Sequence, residues 1–514
     1  MSETSARLRP QTPWAVRLDV LAAQFDQRPA VTSRGQALSF RALAGWARSV
    51  AAALREAGAS RGEPVAVLAR NGPAVVAASY GTLAAGAAEF TLDPRLGPDD
   101  IAYAVRLLGI RLAVAEAAQA TRLSDLGVEV IVVDNLEARD SWGPPLQGGR
   151  DWGKIVLTSG TTGRPKAIVH SDTGRWHAHV LLRAHLPFRP GPGDCILLMT
   201  PYGHGAGLLS AAFLDCGASV ELVDGVDTAH AQRMLSDGGA NAVFAPPTVL
   251  AKLVSGLGPG PICGVRTVFC GTATLQPALY RAAAALFGPV IRVTYGKSEM
   301  FNPITVLEAN DAEAYYRESE SHEGVCLGVP ASGVEVSLRD ADGRACRTGE
   351  HGEVHLWSPH MMIGHVDQDG FHRLEPGEFH ATGDLGYMDE RSRLFLTGRA
   401  QDVIKTGGYK IYPEEIERLL DTEVAVIGVA SQYWGEVVVA VAARPGMPED
   451  WPRTAEAAVA GLAHYKQPRA YLTLEELPRS AQGKVQRAKV RDCILEHYRL
   501  RDGPYPTFEE RRAD

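Results

Sequence analysis

The stretch best suited to chemistry runs from Ile155 to Ser171 and reads IVLTSGTTGRPKAIVHS. An apolar, β-prone run ends at Thr158, a polar loop follows, and a second β-prone run begins at Ala167. The loop holds hydroxyls, two glycines and two cations, which together offer backbone and side-chain donors and positive charge to an anion. It lacks the GxxxxGK[ST] spacing of a Walker loop. The pattern predicts a strand–loop–strand unit that binds a polyphosphate, with an ordinary polar hairpin turn as the alternative.

Small and polar residues also follow several later strands of the predicted fold. The strand over 194–199 runs into Thr200-Pro201-Tyr202-Gly203-His204-Gly205, and the strand over 268–270 is followed by Gly271-Thr272-Ala273. The strand over 291–294 is followed by Tyr295-Gly296-Lys297-Ser298-Glu299. Open α/β sheets bind ligands at the carboxyl ends of their strands. We therefore expect a pocket along this edge, although small residues also serve simply to turn the chain.

The composition restricts the class of protein. The chain has 514 residues, 45% of them apolar and 22% charged, with a formal net charge of −8. This length predicts at least two domains, and the negative charge argues against nucleic acid as the main partner. Seven cysteines occur singly, which favours reduced thiols over a disulfide scaffold. Because neither an apolar signal segment nor a run of roughly 18 apolar residues is present, we expect a cytoplasmic location and no membrane partner.

Alternating strands and helices through the first two thirds of the chain predict an α/β fold. The segment from Gly333 to about Gly386 is β-rich, and a further helix is expected at 455–464. We expect a large N-terminal domain of mixed α/β sheets with a β-rich subdomain over 1–401. A small, mobile α+β domain over 402–514 should follow it.

Five segments, in order and at about the expected spacings, resemble the adenylate-forming superfamily, which includes acyl- and aryl-CoA synthetases, peptide-synthetase adenylation domains and luciferases. The resemblance covers nearly the whole chain and is closest to the acyl- and aryl-CoA synthetase branch. The segments are SGTTGRPK at 159–166, YGKSE at 295–299, TGD at 382–384, GRAQDVIKTGGYKIYPEEIE at 398–417 and PRSAQGK at 478–484.

The resemblance implies that a carboxylate reacts with ATP to give an acyl-adenylate and pyrophosphate. Because an anion must approach a polyanion, catalysis requires charge neutralisation and in-line positioning. Lys484 is expected to bridge the substrate carboxylate and the α-phosphate, although a solvent-exposed lysine is the ordinary alternative. Glu299 and Thr161 are expected to bind Mg²⁺, which prefers oxygen ligands. The loop residues expected to hold the phosphates are Ser159, Gly160, Thr161, Thr162, Gly163 and Lys166.

For the adenosine, the resemblance implies that Asp384 accepts hydrogen bonds from both ribose hydroxyls and that Arg399 supports it. An ordinary ion pair is the alternative for these two residues. Tyr295 is expected to stack on adenine, although a packed core tyrosine is the competing interpretation. The remaining residues expected around the nucleotide are Gly271, Thr272, Ala273, Gly296 and Ser298.

The small domain of this superfamily rotates between two half-reactions, and Asp402 matches its hinge position. One orientation brings in Lys484. The other brings in Gly407 and Gly408, whose missing side chains let a pantetheine arm approach. The resemblance therefore implies CoA, or a carrier-bound phosphopantetheine, as the thiol that accepts the acyl group.

The identity of the acid follows less directly from the sequence. The segment from Tyr202 to Leu208 contains no acidic residue. Amino-acid-activating relatives place an aspartate there to balance the substrate's ammonium group, so we do not expect an α-amino acid substrate. His204 is expected to lie between the acyl pocket and the thiol tunnel, with a satisfied core histidine as the alternative. The other pocket residues are small or apolar and favour an aromatic or bulky hydrophobic acid: Gly205, Phe244, Ala245, Gly271, Thr272, Gly296, Met300, Phe301 and Asn302.

Three functions remain in competition. The first is an ATP-dependent acyl- or aryl-CoA synthetase, and the second is a stand-alone enzyme that loads a carrier protein. The third is a paralogue that binds acids or acyl-adenylates, or that performs only one half-reaction. The presence of Lys484, Glu299 and Asp384 argues against the third, although intact motifs do not prove activity.

Overall fold

The computed structural model describes residues 12–158, 165–258, 260–301, 303–318, 323–420, 422–445, 447–448, 450–479 and 484–511. In chain order, its strands are β1 Pro29–Ser33, β2 Gln36–Ser39, β3 Pro64–Leu68, β4 Ala88–Thr91, β5 Leu112–Ala115, β6 Glu129–Val132, β7 Trp152–Thr158, β8 Lys166–Ser171, β9 Cys195–Leu198, β10 Ser219–Leu222, β11 Ala242–Phe244, β12 Thr267–Gly271, β13 Ile291–Tyr295, β14 Thr305–Leu307, β15 Val325–Cys326, β16 Val329–Pro330, β17 Glu335–Arg339, β18 Gly352–Trp357, β19 Gly364–Asp367, β20 Gly370–Arg373, β21 His380–Met388, β22 Leu394–Arg399, β23 Ile404–Thr406, β24 Tyr409–Ile411, β25 Val424–Ser431, β26 Gly435–Ala443, β27 Ala470–Leu474, β28 Tyr498–Arg501 and β29 Thr507–Glu510.

The helices are α1 Pro13–Phe25, α2 Phe40–Glu56, α3 Pro73–Ala85, α4 Pro98–Leu108, α5 Thr121–Ser124, α6 Asp172–Ala184, α7 Gly207–Leu214, α8 Thr228–Ser236, α9 Pro247–Gly256, α10 Pro277–Phe287, α11 Ala309–Arg317, α12 Pro413–Glu417, α13 Trp451–Val459 and α14 Arg487–His497. A short π-helical turn spans Tyr202–Ala206. None of the helices in the described ranges is both long and apolar enough to cross a membrane.

Two large sheets carry most of the first 370 residues. One has the order β16-β14-β13-β12-β11-β9-β10-β1-β2, and the other has the order β20-β19-β8-β7-β4-β3-β5-β6. Helices α2 and α3 pack closely beside the core, and Gly81 makes this approach feasible because a Cβ there would lie 2.5 Å from the Cβ of Val50. The α/β architecture predicted from the alternating pattern is confirmed.

The β-rich segment after Gly333 divides between two sheets. Strands β17, β18, β21 and β22 form a separate sheet with β15, whereas β19 and β20 join the second large sheet through β8. This pairing covers an edge of β8 that would otherwise expose unpaired backbone groups. The hairpin therefore belongs to the sheet that carries the loop at 159–166.

The last part of the chain forms a smaller α+β unit around the sheet β24-β23-β26-β25, to which β27 is added. Its helix α13 spans Trp451–Val459, whereas the sequence predicted 455–464. Pro452 explains the earlier start, because proline is favoured in the first turn of a helix. A large N-terminal part followed by a smaller C-terminal unit is thus confirmed, while the boundary at 401/402 stays a prediction.

Candidate active site

The carboxyl ends of four strands meet at one edge of the first large sheet. Strands β9, β11, β12 and β13 are successive parallel neighbours, so their ends lie side by side. These ends carry Phe244, Gly271 and Tyr295, and β9 leads into the π-helical turn that contains His204. The pocket edge predicted from the sequence is therefore brought together by the topology.

Asp384 on β21 contacts two residues of this edge, Tyr295 and Lys297, and also contacts Arg399. It is 3% exposed, and the pairing of β21 with β22 places it directly opposite Arg399. Its Oδ1 lies 3.1 Å from Nε of Arg399, and its Oδ2 lies 3.0 Å from Nζ of Lys297. Tyr295 also donates its hydroxyl hydrogen to Oδ2. Burial raises the pKa of Asp384, but Lys297 and Arg399 outweigh it and hold the pKa below its usual value, so the carboxylate is ionised at neutral pH.

Lys297 was missed by the sequence analysis as a site residue. Its ammonium group also donates a 2.9 Å hydrogen bond to the carbonyl oxygen of Thr382. The signal was present, because a lysine two residues beyond the end of a parallel strand lies at the ligand-binding edge. The hydroxyl group of Tyr295 donates its hydrogen bond to Asp384. This contact is compatible with the Tyr295 ring facing a base.

Lys484 approaches the same group of charges from the small C-terminal unit. Solvent still reaches its side chain, but desolvation by the surrounding protein, together with Arg399 and Lys297, lowers its pKa to about 8. Asp384 and Glu299 act in the opposite direction. The lysine predicted to neutralise charge thus lies near the proposed ribose and metal residues, although it is far from them in sequence.

Glu299 offers a carboxylate to a cation. Its side chain is half-buried and accepts no hydrogen bond from the residues that the structure describes. Its charge acts on Lys484 and on His380, whose pKa is lowered by burial against the effect of Glu299. A carboxylate free of protein donors suits Mg²⁺, a hard cation that takes oxygen ligands.

The phosphate loop is only partly described. Ser159, Gly160, Thr161, Thr162 and Gly163 lie outside the described residues. Lys166, at the start of β8, is described, and its Nζ lies 3.5 Å from Nε2 of His365 and 3.8 Å from Oδ2 of Asp367. Two residues of strand β19, His365 and Asp367, therefore lie near the ammonium group of this lysine, which ends the segment predicted to bind phosphates.

His204 lies in the π-helical turn with a non-helical backbone. Burial and Lys154 lower the pKa of its imidazole to about 4, against the effect of Asp93. The ring is therefore neutral at pH 7 and can either donate or accept a hydrogen bond. Asp93 and Lys154 thus belong to the surroundings of the predicted acyl pocket.

The other predicted pocket residues are mostly buried and apolar. Gly205 must lack a side chain, because a Cβ there would lie 2.7 Å from Cζ of Phe244. The ring of Phe301 stacks on His170, with 3.8 Å between ring centroids. Met300 and Ala245 are also buried, and Asn302 lies outside the described residues. These contacts give an apolar wall with little room beside Phe244.

Beyond β12, the predicted nucleotide segment adopts a strained backbone. Thr272 has φ +70°, a left-handed conformation that is unusual for a β-branched residue. Gly271 precedes it, and a Cβ at that position would lie 2.5 Å from the carbonyl oxygen of Thr294. Thr272 and Ala273 are exposed, as residues that line a ligand cleft would be.

The predicted hinge lies in a dense ionic contact. Arg487 is in the first turn of α14, and its Nη1 lies 3.0 Å from Oδ2 of Asp402. Its Nη2 lies 3.0 Å from Glu414 and 2.8 Å from Glu417. Because Arg487 follows Lys484 by three residues, this contact ties the lysine's segment to the hinge position. Gly407 and Gly408, at the β23–β24 turn, both have positive φ values of +54° and +85°.

A polar cluster that the sequence analysis missed lies beside the pocket. Glu89 on β4 and Lys154 on β7 form an ion pair of 2.9 Å and are both almost fully buried. Arg175 on α6 is 4% exposed, and its guanidinium carbon lies 5.7 Å from the Phe301 ring centroid. A charged residue within an apolar strand run was the available signal for Glu89 and Lys154.

Comparison with known proteins identifies the family. The AMP-binding enzyme family matches residues 18–366, and its C-terminal domain matches residues 422–484. The chain belongs to the AMP-binding enzyme family. The superfamily resemblance inferred from five short segments is thereby confirmed.

Curated relatives in this family cover nearly the same length. The 4-chlorobenzoate–CoA ligase of Arthrobacter sp is 29% identical over 507 residues, which are 92% of this chain and 92% of that protein. The 2-succinylbenzoate–CoA ligase of Bacillus cereus is 27% identical and spans 91% of this chain and 96% of its own. Among solved structures, the amide bond synthetase McbA of Marinactinospora thermotolerans has a TM-score of 0.81 at 26% identity and covers 94% of this chain and 99% of that one.

Proposed function

We propose that this protein uses ATP to convert a carboxylic acid into an acyl-adenylate and then transfers the acyl group to the thiol of CoA. In the first step a carboxylate oxygen attacks the α-phosphorus and pyrophosphate leaves. In the second step the thiol attacks the acyl carbon and AMP leaves with the bridging oxygen. The observation that carries the proposal is the convergence of Lys484, Glu299 and the Asp384 network in an AMP-binding enzyme. The names of its relatives as acyl- and aryl-CoA ligases support CoA as the acceptor.

Each charged residue has a distinct proposed role. Lys484 neutralises the approach of the carboxylate to the α-phosphate, and Asp384 accepts hydrogen bonds from the ribose. Lys297 and Arg399 keep Asp384 ionised. An ionised carboxylate can accept hydrogen bonds from both ribose hydroxyls. Lys166, with the loop residues Ser159, Gly160, Thr161, Thr162 and Gly163, holds the phosphates that leave as pyrophosphate.

The nucleotide base is proposed to lie near Tyr295, Gly296 and Ser298, with the Gly271–Ala273 backbone on its other side. His204 and the apolar residues around Phe244 and Phe301 form the acyl pocket. A largely apolar wall favours an aromatic or bulky hydrophobic acid. Asp402 is the proposed hinge through which residues 402–514 present Lys484 first and Gly407 and Gly408 second.

Mg²⁺ is proposed to bind Glu299, with Thr161 as a second ligand. When bound, the ion would neutralise phosphate charge during adenylation. Glu299→Gln should raise the Mg²⁺ concentration that gives half-maximal pyrophosphate release, because a neutral amide is a weaker ligand. A variant with the wild-type Mg²⁺ response would show that the metal is held elsewhere.

The function is tested by incubating the protein with ATP, Mg²⁺ and a panel of aryl, fatty and polycyclic acids, with and without CoA. Pyrophosphate release and thioester formation are followed, the latter by mass spectrometry. A CoA thioester from one class of acid is the expected result. Pyrophosphate without thioester would instead favour the alternative acceptor, a carrier-protein phosphopantetheine. If neither product forms, a supplied acyl-adenylate tests whether only the thioester-forming half-reaction is present.

A further inference from the structure

Arg175 is a buried cation that forms no ion pair with any residue that the structure describes. It is 4% exposed, and its guanidinium carbon lies 4.9 Å from the centroid of the Trp14 ring and 5.7 Å from that of Phe301. Its Nε and Nη1 atoms are buried and make no hydrogen bond within the described part of the chain. Aromatic rings attract a cation but do not accept its N–H groups as a carboxylate does. Two of the donor nitrogens of this guanidinium are therefore unsatisfied within the described residues.

Two carboxyl groups, those of Glu89 and Asp172, act on the charge of Arg175. Glu89 is paired with Lys154 at 2.9 Å and accepts hydrogen bonds from Ser79 and Thr91 at 2.8 and 2.7 Å. Asp172, on the same helix as Arg175, is the other carboxyl group whose charge acts on the guanidinium. Burial raises the pKa of Asp172 and so disfavours its charged form. Within the described residues, Glu89 pairs with Lys154, and neither Glu89 nor Asp172 forms an ion pair with Arg175.

The guanidinium of Arg175 and the ammonium group of Lys154 border the proposed acyl pocket. Phe301 contacts Arg175 through its ring, and Lys154 acts directly on the pKa of His204. Thr91 accepts a hydrogen bond of 3.2 Å from Lys154. Thr91 also lies against the segment that contains His204, because a Cβ on Gly203 would lie 3.2 Å from the carbonyl oxygen of Thr91. The cluster thus adjoins Phe301 and His204, two of the residues that would surround the acyl group.

We propose that Arg175, supported by the charge of Lys154, binds a second anionic group on the acid substrate. The preferred substrates are then carboxylic acids that carry an additional carboxylate or sulfonate, with an apolar body between the two acidic ends. This inference rests on the proposed acyl-activating function and narrows its substrate class. A guanidinium is well suited to the role because its planar fork binds carboxylate and sulfonate oxygens through paired hydrogen bonds. An acid without the second anion leaves the buried charge uncompensated and is discriminated against.

The test compares matched acids that differ in the second anionic group. Benzoate is paired with isophthalate, terephthalate and 3-sulfobenzoate, and hexanoate is paired with adipate. The measured quantity is kcat/KM for pyrophosphate release by the wild-type protein. We expect at least one diacid to exceed its matched monoacid by about 10-fold or more. In Arg175→Met, the ratio of diacid to monoacid should fall by a similar factor.

Arg292 provides a matched control. It is also a buried arginine, 2% exposed. Its Nη2 and Nε atoms donate hydrogen bonds of 2.7 and 2.8 Å to the carboxylate of Glu308. Arg292→Met should lower the melting temperature while leaving the ratio of diacid to monoacid unchanged. If Arg175→Met does not fold, Arg175→Lys keeps the charge but loses the fork, and should show a smaller decrease in that ratio.

A second readout does not depend on turnover. Without ATP, the preferred diacid should raise the melting temperature of the wild type and not that of Arg175→Met. Preference for monoacids, or an unchanged ratio in both Arg175 variants, would overturn the inference while leaving the acyl-activating function in place. Absence of pyrophosphate with every acid, together with no thioester from supplied acyl-adenylates, would overturn the function and this inference with it.

Discussion

The proposed nucleotide end and the proposed acyl end of the cleft differ in how their buried charged groups are paired. At the nucleotide end, the carboxylate of Asp384 receives Lys297, Arg399 and the hydroxyl of Tyr295. At the acyl end, Arg175 has two buried nitrogen atoms without a hydrogen-bond partner in the described chain. The charged groups at the proposed nucleotide end are thus paired with one another before any ligand binds. On our proposal, the acid supplies the partner of Arg175 at the acyl end, and this requirement selects one acid among many.

The largest effect is expected from Lys484→Ala. Adenylation should fall by about 100- to 1000-fold, the usual cost of removing one group that stabilises transition-state charge. Thioester formation from a supplied acyl-adenylate should be largely retained, because the charge problem belongs to the first step. Both half-reactions are measured by mass spectrometry. Equal loss of the two would show that Lys484 does not act specifically in adenylation.

Asp384→Asn would break the paired arrangement at the nucleotide end. Lys297 and Arg399 would lose their counter-charge, so the free energy of unfolding should fall by about 2 kcal/mol, less than for a fully buried pair because Arg399 is partly exposed. The KM for ATP should rise while the preference among acids stays the same. Asp389→Asn, which affects the Asp389–Arg393 pair on the far side of the same hairpin, is the control and should leave the KM for ATP unchanged. A change in acid preference in Asp384→Asn would contradict the separation of the two ends.

The pH dependence distinguishes the two ends in another way. Lys484 has a pKa of about 8, so it is charged below this pH and neutral above it. The kcat/KM for ATP should therefore fall about 10-fold for each pH unit above 8. The diacid-to-monoacid ratio should remain constant over the same range, because an arginine stays protonated. A ratio that falls together with kcat/KM would indicate that a titrating lysine, not Arg175, recognises the second anion.

The smallest effect is expected from Thr272→Gly. Glycine adopts φ +70° without the steric cost that threonine carries there. Part of this gain is offset by the greater freedom of glycine in the unfolded chain. The melting temperature should rise slightly, equivalent to about 1 kcal/mol or less, and kcat should change by no more than a few fold. A large loss of activity would instead show that the threonine hydroxyl contacts the substrate.

The parts of the site that come from contiguous motifs could be predicted from the sequence. Asp384, Arg399 and Lys484 were predicted as site residues because each lies in a short ordered pattern, and the fold class followed from alternating strands and helices. Arg175 could not be recognised, because its burial arises from the packing of α6 against Trp14 and Phe301, which are far from it in sequence. Glu89 and Lys154 are separated by 65 positions and meet through the register of β4 with β7, where Glu89 pairs with Lys154.

The hairpin of β19 and β20 illustrates the same limit. Its residues belong to a β-rich stretch of sequence, yet it pairs with β8 and places His365 and Asp367 beside Lys166. Only the strand order could reveal that contact. The sequence thus identifies residues that act within a motif, whereas residues that act across the sheet need the structure.

The most direct test of the central claim follows the oxygen atoms of the acid. The accepted substrate is labelled with ¹⁸O in its carboxylate and converted completely to the CoA thioester with unlabelled ATP. If the acid attacks the α-phosphorus, one labelled oxygen remains on the AMP that leaves, and mass spectrometry will find AMP heavier by the mass of one label. Unlabelled AMP, or label in inorganic phosphate accompanied by ADP, would contradict adenylation as the activating step.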